Sequence, residues 1–125
     1  MDLKPNTTGQ LLNATIFHLA TPLDAQALSV NGTYRAASLD TEGFIHCCTA
    51  DQLPGVIQRY YADAQNVVVL TIETALLKAE LVYENTVGGE ALFPHVYGEI
   101  NQEAVTSTEA LNRTRIVDIA NAGQI

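Results

Sequence analysis

The stretch ATIFHLATP, residues 14–22, changes character halfway along. Its first six residues have strand composition. Side chains alternate along a strand, so Ile16 and His18 face one side, and Phe17 and Leu19 the other. Thr21 then offers an N-cap, Pro22 suits the first helical position, and Asn31-Gly32 ends a short helix. The same sequence of events recurs at EGFIHCC, residues 42–48. Gly43–Cys48 reads as a second strand, with Phe44, His46 and Cys48 on one face and Ile45 and Cys47 on the other. Thr49-Ala50-Asp51-Gln52 has the form of a capping box and opens a helix through about Asp63, with Leu53, Ile57, Tyr60 and Ala64 as its apolar stripe.

Val67–Ile72 is apolar at nearly every position, as in a strand covered on both faces. Leu81–Glu84 pairs with Leu92–Tyr97 across a turn containing Gly88-Gly89, and Pro94 belongs at a bulge or an edge. A strand near Val105–Thr108 and an irregular tail finish the chain. The expected fold class is α+β, with two main helices and mostly antiparallel pairing. Residues 1–10 read as a flexible arm and 11–125 as one globular domain.

A chain of 125 residues is near the commonest domain size and buries enough surface for one core. Apolar residues make up 47% and charged residues 16%, which argues against disorder. The longest apolar run, VVVL at 67–70, is far short of the ~20 residues of a membrane span. The opening MDLKPNTTGQ lacks the basic-then-apolar layout of a secretory signal, so a cytoplasmic setting is expected. Fourteen acids against six bases leave a net charge of −8, which repels a long phosphate backbone and argues against general nucleic-acid binding. A small phosphate-bearing ligand remains open, because screening over about 8–10 Å lets one arginine dominate its own pocket. Adjacent Cys47 and Cys48 stand about 3.8 Å apart at Cα and point to opposite strand faces, so they read as free thiols.

The three histidines all lie in apolar strand segments: IFHLA, FIHCC and FPHVYG. Any one of them alone suits a satisfied core residue. Together they point to a shared site. One convergent reading is a three-histidine zinc centre acting as a hydrolase, but no short ligand spacing supports it, and no metal is expected. Another is a Cys48 nucleophile activated by His46, which the apolar surroundings disfavour.

The order IFHLA, GTYRAASLDTEGFIHC with Gln52 soon after, LVYE and FPHVYG resembles the bacterial family called domain of unknown function 952, over about residues 15–108. That family is grouped by fold with the ADP-ribosyltransferase-like proteins, compact split antiparallel α+β structures that hold NAD or a related nucleotide in a central cleft. The resemblance implies roles residue by residue. His18 corresponds to the histidine that bonds the nicotinamide-side ribose. His46, with Tyr34 and Ser38 upstream, falls on the second strand near the nicotinamide. Glu84 in LVYE, or Glu99 in YGEI, would steady an oxocarbenium-like centre. The expected catalytic residues are therefore His18, His46 and Glu84. Tyr34, Arg35, Ser38, His95 and Tyr97 would bind ligand, with Arg35 nearest any phosphate. The implied activity is transfer or hydrolysis at the ribose C1′ carbon, with NAD as candidate substrate. The alternative is a non-catalytic metabolite-binding or sensing module.

Overall fold

Val67, Val68, Val69 and Leu70 are all buried, and the strand they belong to is the middle of a sheet with a covering on each face. The computed structural model describes residues 14–85, 88–89 and 91–122. The expected arm at residues 1–10 lies outside these.

The elements run β1 (Thr15–Ala20), α1 (Pro22–Asn31), β2 (Thr33–Tyr34), α2 (Ala37–Thr41), β3 (Ile45–His46), α3 (Leu53–Tyr60) and β4 (Asn66–Glu73). They continue with β5 (Glu80–Glu84), β6 (Phe93–Tyr97), β7 (Ile100–Asn101), β8 (Val105–Asn112) and α4 (Arg113–Ala122). All pairing among the described residues is antiparallel. One sheet has the order β1-β4-β8, another β3-β6-β5, and β2 pairs with β7. The two three-stranded sheets meet at an isolated bridge, where Phe17 and Cys48 exchange both backbone bonds at 2.8 Å. The fold is α+β with antiparallel sheets.

The alternation expected along β1 places Ile16 and Leu19 in different cores. Ile16, Leu70 and Ile72 join Tyr34, Ile45, Val96 and Ile100 in one apolar cluster. Leu19, Val67 and Val69 join Ile57, Leu111, Ile116 and Ala120 in the other, beneath α3 and α4. Helix α1 has the expected caps: Thr21 Oγ1 accepts from the Asp24 amide at 3.0 Å, and Gly32 closes the helix at φ +77°. That left-handed conformation is why a glycine stands there.

Four expectations need correction. The described residues hold four α-helices rather than two main ones. The tail is not irregular: Asn112 Oδ1 accepts from the Arg115 amide at 3.0 Å and caps α4, whose Ile116 and Ala120 are buried. Helix α3 stops at Tyr60 rather than Asp63, because the Arg113 guanidinium holds the carbonyls of Ala62 and Ala64 in the turn that follows. Tyr60 is accordingly exposed instead of lying on the apolar stripe.

The fourth correction is that Pro94 lies in β6, the central strand of its sheet, not at an edge. Its carbonyl accepts from the Cys47 amide at 3.0 Å, just past the end of β3. In an antiparallel ladder the N and C=O of one residue point the same way. The missing donor of Pro94 therefore falls where the β3 ladder has already stopped.

Candidate functional site

Strand β3 is only two residues long, shorter than the six expected, but it sets the geometry of the site. Gly43, at φ +90°, turns the chain out of α2, and Ser38 Oγ donates to the Phe44 carbonyl at 2.8 Å. His46 then stands opposite His95 across the β3–β6 pair, and Ile45 opposite Val96. Ile45 and Val96 enter the core, whereas His46 and His95 turn the other way, into a cavity of about 990 Å³.

That cavity lies between the sheets and is walled by residues of β1, α1, α3, β3 and β6 together with Gly88 and Gly89. Its volume is at the upper end of the roughly 300–1,000 Å³ common for small-molecule pockets. His18, Tyr34, Ser38, His46 and His95 all line it. The three histidines do converge, but their environments differ.

His18 is buried and fully engaged. Its Nδ1–H donates to the His46 carbonyl at 2.5 Å, and Nε2 accepts from the Tyr34 hydroxyl at 2.8 Å. Burial lowers its pKa to about 4, partly opposed by the bond to the His46 carbonyl. The same burial raises the Tyr34 pKa, so that hydroxyl stays a donor. The pair is a neutral strut between β1, β2 and β3.

His95 is buried and held by one side only. Its Nδ1–H donates to Glu84 Oε2 at 2.8 Å, and the ring stacks on Phe44 with centroids 4.1 Å apart and planes 15° apart. Its Nε2 has no partner among the described residues and is the nitrogen left for a ligand. Glu84 also accepts from the Tyr97 hydroxyl. That bond first, and the one from His95 second, hold the Glu84 carboxyl below its ordinary pKa. Glu84 and Tyr97 do not line the cavity; they support His95 from behind.

His46 is half exposed. Its Nε2–H donates to Glu42 Oε2 at 3.1 Å, and its ring meets that of His95 edge to face at 5.2 Å. Two histidine–glutamate pairs therefore sit side by side on one sheet.

Gln52, part of the sequence pattern, accepts from the Thr49 amide at 2.9 Å and donates to the Leu92 carbonyl at 2.9 Å, tying the start of α3 to the strand carrying His95. Arg35 is not brought to the cavity. Its guanidinium is taken by Asp40 and by Glu99, the latter at 3.2 Å, which removes Glu99 as well. Sequence reasoning missed Phe44, Glu42 and Arg59. The four-residue spacing from Glu42 to His46 was a usable signal; for Arg59, whose neighbours are apolar or neutral, there was none.

Both thiols are buried and lie along the cavity wall. Burial raises the Cys47 pKa and pushes that of Cys48 up to about 12, so neither is a thiolate nucleophile near neutral pH. A three-histidine metal centre would require His18 to surrender one of its two bonds. Among the described residues no group of three His, Cys, Asp or Glu side chains is arranged to hold a metal ion.

Comparison with known proteins agrees with the strand-by-strand reading. The family described as protein of unknown function DUF952 matches residues 19–108. A crystal structure of protein CC0527 from Caulobacter crescentus superposes with a TM-score of 0.71 at 26% identity, covering 79% of this chain and 87% of that one. A solution structure of CC0527 gives 0.68 at 26% identity, covering 78% and 84%. No curated protein matches the chain. With the family pattern spanning most of its length, and His46 and His95 of the cavity wall inside it, the chain belongs to the DUF952 family.

Proposed function

We propose that this chain binds a small ligand in the cavity and that His95 accepts a proton from it. The observation that carries this reading is the placement of His95 on the cavity wall, with Nδ1–H committed to Glu84 and Nε2 left without a partner among the described residues. A carboxylate behind an imidazole fixes its tautomer and stabilises the imidazolium that proton uptake creates. His46, backed by Glu42, sets a second imidazole beside His95, and the Nδ1 of His46 is left to accept a hydrogen bond from the same ligand.

NAD or a nucleotide fragment is the proposed ligand class, with reaction by transfer or hydrolysis at the ribose C1′ carbon. The cavity's aromatic wall of Phe17, Tyr60, Tyr61 and Phe93 suits a planar base. In this scheme His95 activates the attacking hydroxyl or water, and Glu84 acts through His95 rather than on the sugar. The ADP-ribosyltransferase-like grouping belongs to the same proposal and rests on the strand motifs. So does a cytoplasmic setting, in which Cys47 and Cys48 stay reduced.

Incubation with NAD and quantification of free nicotinamide tests the catalytic part. Release is expected from the native chain and not from His95→Gln; release equal to buffer would remove it. A second reading, a non-catalytic sensing module, is favoured by the inert thiols and the saturated His18. Ligand-induced thermal stabilisation without turnover would select it.

A further inference from the structure

Arg35 and Arg113 are taken by other groups of the protein. The chain has six Lys and Arg residues, and all but Lys4 are described. Arg35 is held by Asp40 and Glu99, and Arg113 by two backbone carbonyls. Lys78 lies in the field of Glu103, and Arg115 stands on the exposed side of α4. Of these five, Arg59 is the one that lines the cavity.

Arg59 has no carboxylate within ion-pair distance among the described residues. Its guanidinium lies 5.7 Å from the centre of the Tyr60 ring, in the last turn of α3. Two acids share the cavity wall, Asp24 and Glu42. Glu42 is bonded to His46, and Asp24 stands on a different element, in the first turn of α1.

We infer that Arg59 is the anion anchor of this cavity, and that the ligand is a small molecule whose phosphate group the guanidinium takes. The inference rests on the cavity being a ligand site and adds the residue that sets ligand class. A guanidinium presents donors in a planar fork that matches phosphate oxygens. In a chain of charge −8 an anion is repelled at long range, but screening over about 8–10 Å leaves the nearest cation in control at contact. The mostly apolar wall strengthens that local field. Arg59 thus takes the role that the sequence pattern assigned to Arg35.

The test follows the side-chain Nε–Hε signals of Arg59 and Arg115 by NMR while inorganic pyrophosphate is added. A saturable shift is expected at Arg59 and not at Arg115. Arg59→Gln should weaken pyrophosphate binding about tenfold or more, Arg59→Lys less, and Arg115→Gln not at all. Thermal melts of the variants should match the native chain, because Arg59 is exposed and unpaired by any carboxylate among the described residues. No saturable shift at Arg59, or equal binding by Arg59→Gln, would overturn the inference and return Arg59 to a solvated helix face. His95→Gln, run in parallel, should keep pyrophosphate binding. Nicotinamide release from the native chain no greater than from buffer would remove the catalytic role of His95 while leaving Arg59 in place.

Discussion

The imidazole of His18 is bonded to the backbone of His46, not to an open cavity. A side chain on β1 thereby fixes the strand that presents a second imidazole, and Tyr34 occupies the remaining nitrogen. His18→Ala leaves the Tyr34 hydroxyl and the His46 carbonyl without this partner in buried surroundings. A loss of about 2–5 kcal/mol is expected from the hole and the stranded groups together. Urea unfolding measures it; an unchanged midpoint would mean that the ring serves a ligand instead.

The depressed pKa of His18 has a pH signature. The unfolded chain protonates this imidazole near its ordinary value of 6.5, while the folded chain resists until about 4. Folding stability from this group is therefore full above that window and falls as pH drops through it, by about 3 kcal/mol in all. Glu84, also depressed in the folded chain, adds stability above the ordinary carboxylate range that is lost as pH falls through its folded pKa. Unfolding free energies at neutral and mildly acid pH should show the decline, and His18→Gln should flatten its upper part. A native chain equally stable at both ends would contradict the buried neutral ring.

Tyr97→Phe removes the strongest of the bonds that keep Glu84 ionised. The midpoint of the Glu84 carboxyl carbon signal, followed by NMR, should move upward toward the ordinary carboxylate value. His95 keeps its own bond to Glu84, so the fold should persist. A midpoint that does not move would place Tyr97 outside the support of this pair.

Neither thiol should react quickly in the folded chain. With burial holding the Cys48 pKa near 12 and Cys47 raised as well, a disulfide reagent at mildly alkaline pH should find almost no free thiolate. Two thiols per chain should titrate once denaturant is added. Rapid labelling of native Cys48 would revive a cysteine nucleophile.

Much of this fold could be read directly from the sequence because its signals are local. Thr21, Pro22 and Gly32 each act on their own backbone, so the bounds of α1 follow from them. The unbroken apolar run of β4 matches its two-sided burial, and the β5–β6 pairing follows from two strand-like runs around a glycine turn. Where distant residues intervene, sequence reasoning failed. Arg113 ends α3 from about fifty residues away, by bonding carbonyls that carry no side-chain identity. Asn112 signals a helix, but its short apolar stripe sits in a polar segment and reads as tail.

At the site, three histidines in similar apolar strand segments suggested a shared site, and His18, His46 and His95 do line one cavity. Sequence separation alone could not show that their strands meet. Their division of labour was not legible either, since it depends on which nitrogen finds a partner across the sheets. Arg35 illustrates the same limit: its fate is decided by Glu99, which lies far along the chain.

The register of β3 against β6 also limits how the chain can change length as it diverges. His46 faces His95 and Ile45 faces Val96, on opposite sides of the same two-residue strand. Inserting or deleting a single residue between Gly43 and His46 would exchange those sides at a stroke. An isoleucine would then enter the cavity, and an imidazole the apolar core. Two-residue changes preserve the facing and fail only by distance. Relatives that keep a working cavity should therefore vary in length beyond Glu84, before β6 begins, and hold the spacing from Gly43 to Cys48 fixed.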